Sequence, residues 1–194
     1  MPVSVRVARF VLNRPTETQT PPAGGNRPAS GALDAPRRKS FAEVMMASPI
    51  RTILCPVDFS PEAEEAVRYA VSLGERIGAS EVKLLHVHQP VAHIFPESAV
   101  VFDSEVLSDA RGRMARQLED LAKRYGSHGV DLSTRLVDGI PYAAIVEHAQ
   151  EIGADLIVMG THGRTGIAHF LLGSTAERVV RASRIPVCTV RLPE

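Results

Sequence analysis

Apolar residues along this chain recur in two rhythms, and the switches between them mark out its elements. Arg51-Thr-Ile-Leu-Cys-Pro-Val57 is a short apolar run with β-branched members, which predicts a buried strand. Ser60-Pro61 follows, a helix N-cap with proline at the first helical position. Ala63, Ala66, Val67, Ala70, Val71, Gly74 and Ile77 then recur at spacings of three and four. That spacing packs one face of a helix inward, and its small residues let it lie close to a sheet. Gly78 ends the helix. Glu81 to His88 predicts a second strand through Val82, Leu84, Leu85 and Val87, whereas Gln89 to Phe102, with Pro90 and Pro96, gives no clear element. Leu107, Ala110, Met114, Leu118, Leu121, Ala122 and Tyr125 predict a long second helix that stops near Gly126. A third strand covers Leu132 to Val137, and a third helix starts at Gly139-Ile-Pro141 with Ile145, Ala149 and Ile152 inward. Ala154 to Met159 is a fourth strand, Gly160 to Gly173 a loop with four glycines, Ser174 to Ser183 a fourth helix, and Pro186 to Arg191 a fifth strand.

Strands that alternate with helices imply parallel pairing and helices on both faces of the sheet. Residues 50–194 therefore predict one doubly wound α/β domain with a five-stranded parallel sheet. That length buries roughly 70% of the unfolded chain's surface. Residues 1–49 read differently. They carry seven of the fourteen prolines and, from Thr16 to Ser40, almost no apolar periodicity. Such a segment buries too little surface to offset its ordering entropy, so a disordered extension is expected. Two alternatives stand beside that expectation. The first dozen residues contain arginine and no acid, as in an organelle transit peptide, and Met45-Met46 offers an alternative start before the domain.

The formal net charge is zero, so the overall field points to neither nucleic acid nor an anionic membrane as a partner. Arg6, Arg9, Arg14, Arg27, Arg37, Arg38 and Lys39 outweigh Glu17, Asp34 and Glu43 in the extension, which leaves the domain net acidic. Cys55 and Cys188 both sit in apolar strand-like runs, which suits buried free thiols in a reducing compartment better than a disulfide. No apolar run has the roughly 18 residues of a membrane span, and Val3 to Leu12 is interrupted by Arg6 and Arg9. A cytoplasmic location is the expectation.

The chemistry concentrates in Gly160-Thr-His-Gly163-Arg-Thr-Gly166-Ile-Ala-His-Phe-Leu-Leu-Gly173-Ser174-Thr175. It joins the carboxyl end of the fourth strand to the amino end of the fourth helix. Backbone N–H groups at that helix end lack intrahelical partners, and the helix dipole makes the end partly positive. Glycines allow close backbone approach, so the segment suits a phosphate, with Arg164 and the Ser174 and Thr175 hydroxyls as further donors. The alternative is structural: Ser174-Thr-Ala-Glu177 also has capping-box spacing, with Ser174 as the cap. In doubly wound sheets, ligands bind beyond the carboxyl ends of the strands where the order reverses. Pro56-Val57-Asp58 ends the first strand there, and Asp58 suits ribose hydroxyls or a bridging divalent cation, or else a local turn ahead of Ser60. Neither a G-x-G-x-x-G after the first strand nor a G-x-x-x-x-G-K-[ST] is present, which argues against an NAD or FAD site and a Walker-type NTPase.

Ile53-Leu-Cys-Pro-Val-Asp58-Phe-Ser60, Leu84-Leu-His-Val-His88, Val158-Met-Gly-Thr-His-Gly163 and Ile185-Pro-Val-Cys-Thr-Val190 together resemble the universal stress protein family. The most specific match is G-x2-G-x9-G-[ST], met by Gly160, Gly163, Gly173 and Ser174. The resemblance covers residues 50–192 and implies an adenine-nucleotide α hydrolase-like fold with strand order 3-2-1-4-5. It implies the ATP-binding branch, with ATP and a divalent cation such as Mg. Carried over by position, Pro56, Val57 and Asp58 line the ribose and phosphate side and Val87 meets adenine through its backbone. Met159 and Gly160 sit near the ribose, and Gly163, Gly173, Ser174 and Thr175 hold the phosphates. The resemblance also implies a homodimer through the last strand, Pro186 to Arg191. Residues 1–49 have no counterpart in it.

His86 and His88, with His162, suggest a metal site less readily than hydrogen-bonded structure, because no fixed Cys/His spacing accompanies them. Ser60 has no G-x-S-x-G setting. The basic residues of the second helix read as a solvated face without the aromatic interleaving of single-strand binding. Three functions remain in view: a nucleotide sensor with slow hydrolysis at most, a nucleotide-independent dimeric adaptor, and a phosphotransferase or ATPase.

Overall fold

The two rhythms become two kinds of element in the computed structural model, which describes residues 7–11, 49–89, 104–126, 129–161 and 172–192. In chain order these are β1 (Val7–Val11), β2 (Thr52–Pro56), α1 (Pro61–Ile77), β3 (Glu81–His88), α2 (Ser104–Tyr125), β4 (Asp131–Asp138), α3 (Pro141–Glu151), β5 (Leu156–Gly160), α4 (Ser174–Ala182) and β6 (Val187–Val190). The sheet runs β1-β6-β5-β2-β3-β4. Its five strands from β4 to β6 are parallel. Numbered among themselves they have the order 3-2-1-4-5, the α/β arrangement expected from the sequence.

Alternation along the strands divides the core between two faces. Ile53 and Cys55 of β2, Val82 and Leu84 of β3, Leu156 and Val158 of β5 and Cys188 and Val190 of β6 pack on one face with Ala66, Val67 and Ala70 of α1 and Leu118 and Leu121 of α2. Leu54, Leu85, Ile157, Met159 and Val187 point to the other, against Ile145 and Ala149 of α3 and Ala176 and Val179 of α4. This is why the strands read as continuous apolar runs. The first helix is bounded as its sequence requires. The Ser60 hydroxyl accepts from the Ala63 N–H at 3.2 Å. Pro61 opens the helix, and Gly78 closes it at φ 70°, a left-handed conformation that glycine adopts without a Cβ penalty.

The extension departs from expectation in one place. Within the segment expected to be disordered, Val7–Val11 forms a strand antiparallel to β6. Five residues rich in valine with one phenylalanine carry β propensity, and a strand next to them lends its unpaired backbone groups. The edge of the last strand, which the sequence left open for a second copy, is thus covered by the same chain. Residues 12–48 lie outside the described residues.

Candidate functional site

The parallel strands end together, and their carboxyl ends open onto a cleft of about 460 Å³, within the ordinary range of small-molecule sites. It lies where β2 and β5 are neighbours while their chain connections diverge, the place at which such sheets bind ligands. Pro56, Val57 and Asp58 after β2, Val87 of β3, Met159 and Gly160 of β5, and Gly173, Ser174 and Thr175 at the start of α4 all line it. Nine of the ten residues singled out from the sequence are therefore brought together. The tenth, Gly163, lies outside the described residues, as do His162 and Arg164.

Backbone geometry sets the wall nearest β2. The Val57 N–H donates to the Leu85 carbonyl at 2.8 Å, which prolongs the β2–β3 ladder by one residue. Asp58 then turns the chain: its Oδ1 accepts from the Ser60 N–H at 3.1 Å and the Ser60 hydroxyl at 2.6 Å. Phe59 between them has φ 63°, an uncommon value for a non-glycine residue that is held here by both flanking contacts. Its ring packs on His86, with centroids 4.5 Å apart. His86 is buried, and its Nδ1 lies 2.6 Å from the Val57 carbonyl oxygen. A carbonyl only accepts, so Nδ1 carries the hydrogen. Asp58 thus has the local turn role that the sequence left open, and it also faces the cleft.

The opposite wall corrects the capping-box reading. Gly173, not Ser174, is the N-cap of α4, at φ −69° and ψ 157°, and no side chain caps the helix. Ser174 is the first helical residue, one position too late to cap. A glycine cap has no side-chain oxygen to offer, so the first-turn N–H groups face the cleft, with the helix dipole behind them. Gly173 is itself fixed by donating its N–H to the Thr161 carbonyl at 2.7 Å, and Thr161 donates to the Val190 carbonyl at 2.9 Å.

Gly160 has a reason to be glycine besides closeness to a ligand. A Cβ there would stand 3.1 Å from the carbonyl carbon, oxygen and Cβ of Glu62. The end of β5 and the first turn of α1 touch directly at this point.

Other lining residues were not legible in the sequence. Met114 of α2, Pro141 and Ile145 of α3 and Leu85 of β3 supply an apolar wall. They come from elements distant in sequence, and only the sheet order joins them. At the rim, His88 Nδ1 lies 3.0 Å from Asp138 Oδ1, and Arg111 pairs with Asp138 Oδ2. Partial burial pushes the Asp138 pKa up, but His88 and Arg111 outweigh it and hold the carboxyl below its usual value. These contacts give His88 a structural partner. Among the described residues, no three His, Cys, Asp or Glu side chains are grouped to hold a metal ion. Three of the five basic residues of α2 pair with acids, as Arg111–Asp138, Arg124–Glu64 and Lys123–Asp120. Cys55 and Cys188 are buried and free. Burial pushes Cys188 up to about 11 and Cys55 higher still. No helix among the described residues is long and apolar enough to cross a membrane.

Known proteins resemble this chain in sequence and fold. The sequence model of the universal stress protein family matches residues 49–191. Universal stress protein MJ0531 of Methanocaldococcus jannaschii is 34% identical over 146 residues, 74% of this chain and 84% of that one. The solved structure of MJ0577, from the same organism, superimposes with a TM-score of 0.65 at 31% identity, covering 76% of this chain and 99% of that one. A universal stress protein solved in complex with cAMP superimposes with a TM-score of 0.55 at 27% identity, covering 74% and 98%.

Proposed function

This chain belongs to the universal stress protein family, and we propose that it binds ATP in the cleft between β2 and β5 and acts as a nucleotide-dependent regulator of a stress response. One observation carries the reading. The cleft that Gly160, Gly173 and Ser174 of the motif line is walled on one side by the uncapped first turn of α4, with Gly173 at the cap position. Backbone N–H groups aimed into a cleft from a helix start are donors for a phosphate and need no side chain. The complex of a relative with cAMP supports an adenine nucleotide as the ligand class.

In this reading the base lies against Val87, whose backbone meets adenine, with Met114 and Ile145 as apolar cover. Pro56, Val57 and Asp58 face ribose, beside Met159 and Gly160. Gly163, Gly173, Ser174 and Thr175 hold the phosphates. A divalent cation such as Mg enters with the nucleotide and is held chiefly by phosphate oxygens, because Asp58 is the one carboxylate among the described lining residues and its Oδ1 is engaged by Ser60. Such an ion neutralises phosphate charge. In this reading the site holds and orients the nucleotide rather than cleaving it, with Asp58 already serving the turn.

Two measurements test the proposal. Protein purified and denatured without added nucleotide is assayed by mass spectrometry for released nucleotide, and stripped protein is titrated calorimetrically with ATP, ADP, AMP and cAMP, with and without Mg. ATP binding tightest, at one site per chain, is the expected result. No binding of any adenine nucleotide would overturn it, and binding of cAMP alone would replace ATP as the ligand.

A further inference from the structure

The edge of the sheet at β6 is a strand-accepting surface, and its orientation follows from the β5–β6 ladder. Ile157 donates to the Pro186 carbonyl and Thr161 to the Val190 carbonyl, each at 2.9 Å. Partners alternate along a parallel ladder, so Pro186, Cys188 and Val190 aim their backbone groups at β5. Val187 and Thr189 therefore aim theirs away from it. These two stand opposite Val11 and Ala8 of β1. The backbone of β1 thus meets the outward-facing N–H and C=O groups of β6.

Without β1, the sheet would end in Val-Cys-Thr-Val, four residues with no charge and no proline. Native edges of that composition are normally covered or guarded, because they template pairing with another chain. The far edge, β4, is guarded by Asp131, Arg135 and Asp138 in its own sequence. The outer strand β1 carries Arg9, with Arg6 just before it.

The cover is short and irregular. It has five residues, and its register shifts between Ala8 and Val11, which interrupts the ladder. It runs against an otherwise parallel sheet. Forty residues separate Val11 from Thr52, a tether that reaches about 130 Å when extended. The match to the family model begins only at residue 49, so the cover belongs to this chain's own extension rather than to the shared domain.

We propose that Val7–Val11 is an intramolecular cover for β6, and that a second copy of this chain pairs through β6 only when the cover is lifted. The extension then sets the balance between monomer and dimer. A tethered strand is present at high effective concentration, so the second copy must compete with it.

The test reads mass by light scattering on the full chain, over a range of concentrations and without nucleotide. Ala8→Pro removes the N–H that faces Thr189 and weakens the cover. A paired substitution, Ala8→Cys with Thr189→Cys, locks it, since opposed residues of a hydrogen-bonded antiparallel pair have the Cα separation of a disulfide. Wild type is expected near 21.0 kDa at low concentration. Ala8→Pro shifts to twice that mass at least tenfold lower concentration than wild type. The oxidised lock stays monomeric at every concentration, and reduction restores wild-type behaviour. The proposal is overturned if Ala8→Pro and wild type assemble alike, or if the oxidised lock dimerises as readily as wild type. Should Ala8→Pro fail to fold, the lock alone decides, in the same two directions.

Discussion

Replacing Gly173 with aspartate sets two effects against each other, and the structure gives opposite signs for stability and binding. Gly173 holds φ −69° and ψ 157°, extended backbone that any residue adopts, so the substitution carries no conformational strain. Aspartate is a better N-cap than glycine by a few tenths of a kcal/mol, and its charge adds about 0.3–1 kcal/mol beside the helix dipole. Folding stability should therefore stay level or rise slightly. In the proposed complex the same carboxylate competes with phosphate for the first-turn N–H groups. It also places a negative charge about 5 Å from another, which costs about 3 kcal/mol at an effective dielectric constant of about 20. Affinity should fall by roughly a hundredfold or more. Urea unfolding and calorimetric titration with ATP on the same preparation separate the two. Binding within about threefold of wild type, with stability unchanged, would show that the start of α4 is not where phosphate sits. A large loss of stability would instead refute the uncapped-glycine geometry.

Three further outcomes follow from contacts elsewhere. Gly160→Ala should lower stability by about 1 kcal/mol. The 3.1 Å approach to the Glu62 backbone costs about 1–3 kcal/mol in overpacking, against about 0.4–1 kcal/mol recovered from the unfolded chain. A melting temperature lower by about 2–4 °C is expected, and an unchanged or raised one contradicts the contact. Burial pushes the Asp138 carboxyl up, but His88 and Arg111 together outweigh it and hold the carboxyl below its usual value. A depressed folded pKa means stabilisation present above the unfolded value and lost as pH falls through the folded one. Wild type should lose stability below about pH 4 more steeply than Asp138→Asn, by well under 1 kcal/mol because the pair is half exposed; parallel acid titrations of the two would refute it. With Cys188 at about 11 and Cys55 above it, both thiols should resist alkylation at pH 8 until the protein unfolds. Rapid labelling of native protein, followed by mass spectrometry, would contradict their burial.

The parallel sheet was legible because each of its strands alternates between two helix-covered faces, so apolar runs such as Ile53 to Val57 had one reading. The site was legible for a related reason. Its residues sit at strand ends and one helix start, positions that the topology sends to the same edge. What escaped depends on contacts between distant segments. Asp155 accepts from the Arg51 and Thr52 N–H groups at 2.8 and 3.0 Å and so fixes the entry of β2 beside β5. A lone aspartate in a loop carries no sign of that. The capping of α4 was misplaced by one residue because Ser174-Thr-Ala-Glu177 fits the box pattern, while backbone bonding from Thr161 selects Gly173 as the cap. Strand β1 was hidden in composition: proline-rich sequence after it masks five residues whose pairing partner lies at the other end of the chain.

Thr161 shows why the site and the sheet edge belong to one structure. It is buried, accepts from Gly173 and donates to Val190. One residue therefore connects the cap of α4 to the last position of β6. Val190 in turn stands opposite Val7 in the register of the covering strand. Two main-chain hydrogen bonds thus connect the start of α4, through Thr161, to the end of β6. Side chains take no part in those bonds, so the path depends on backbone position alone. The position of Gly173 is thereby linked to β6, which pairs with β5 on one side and β1 on the other. The cleft and the covered edge are thus two ends of the same hydrogen-bonded sheet.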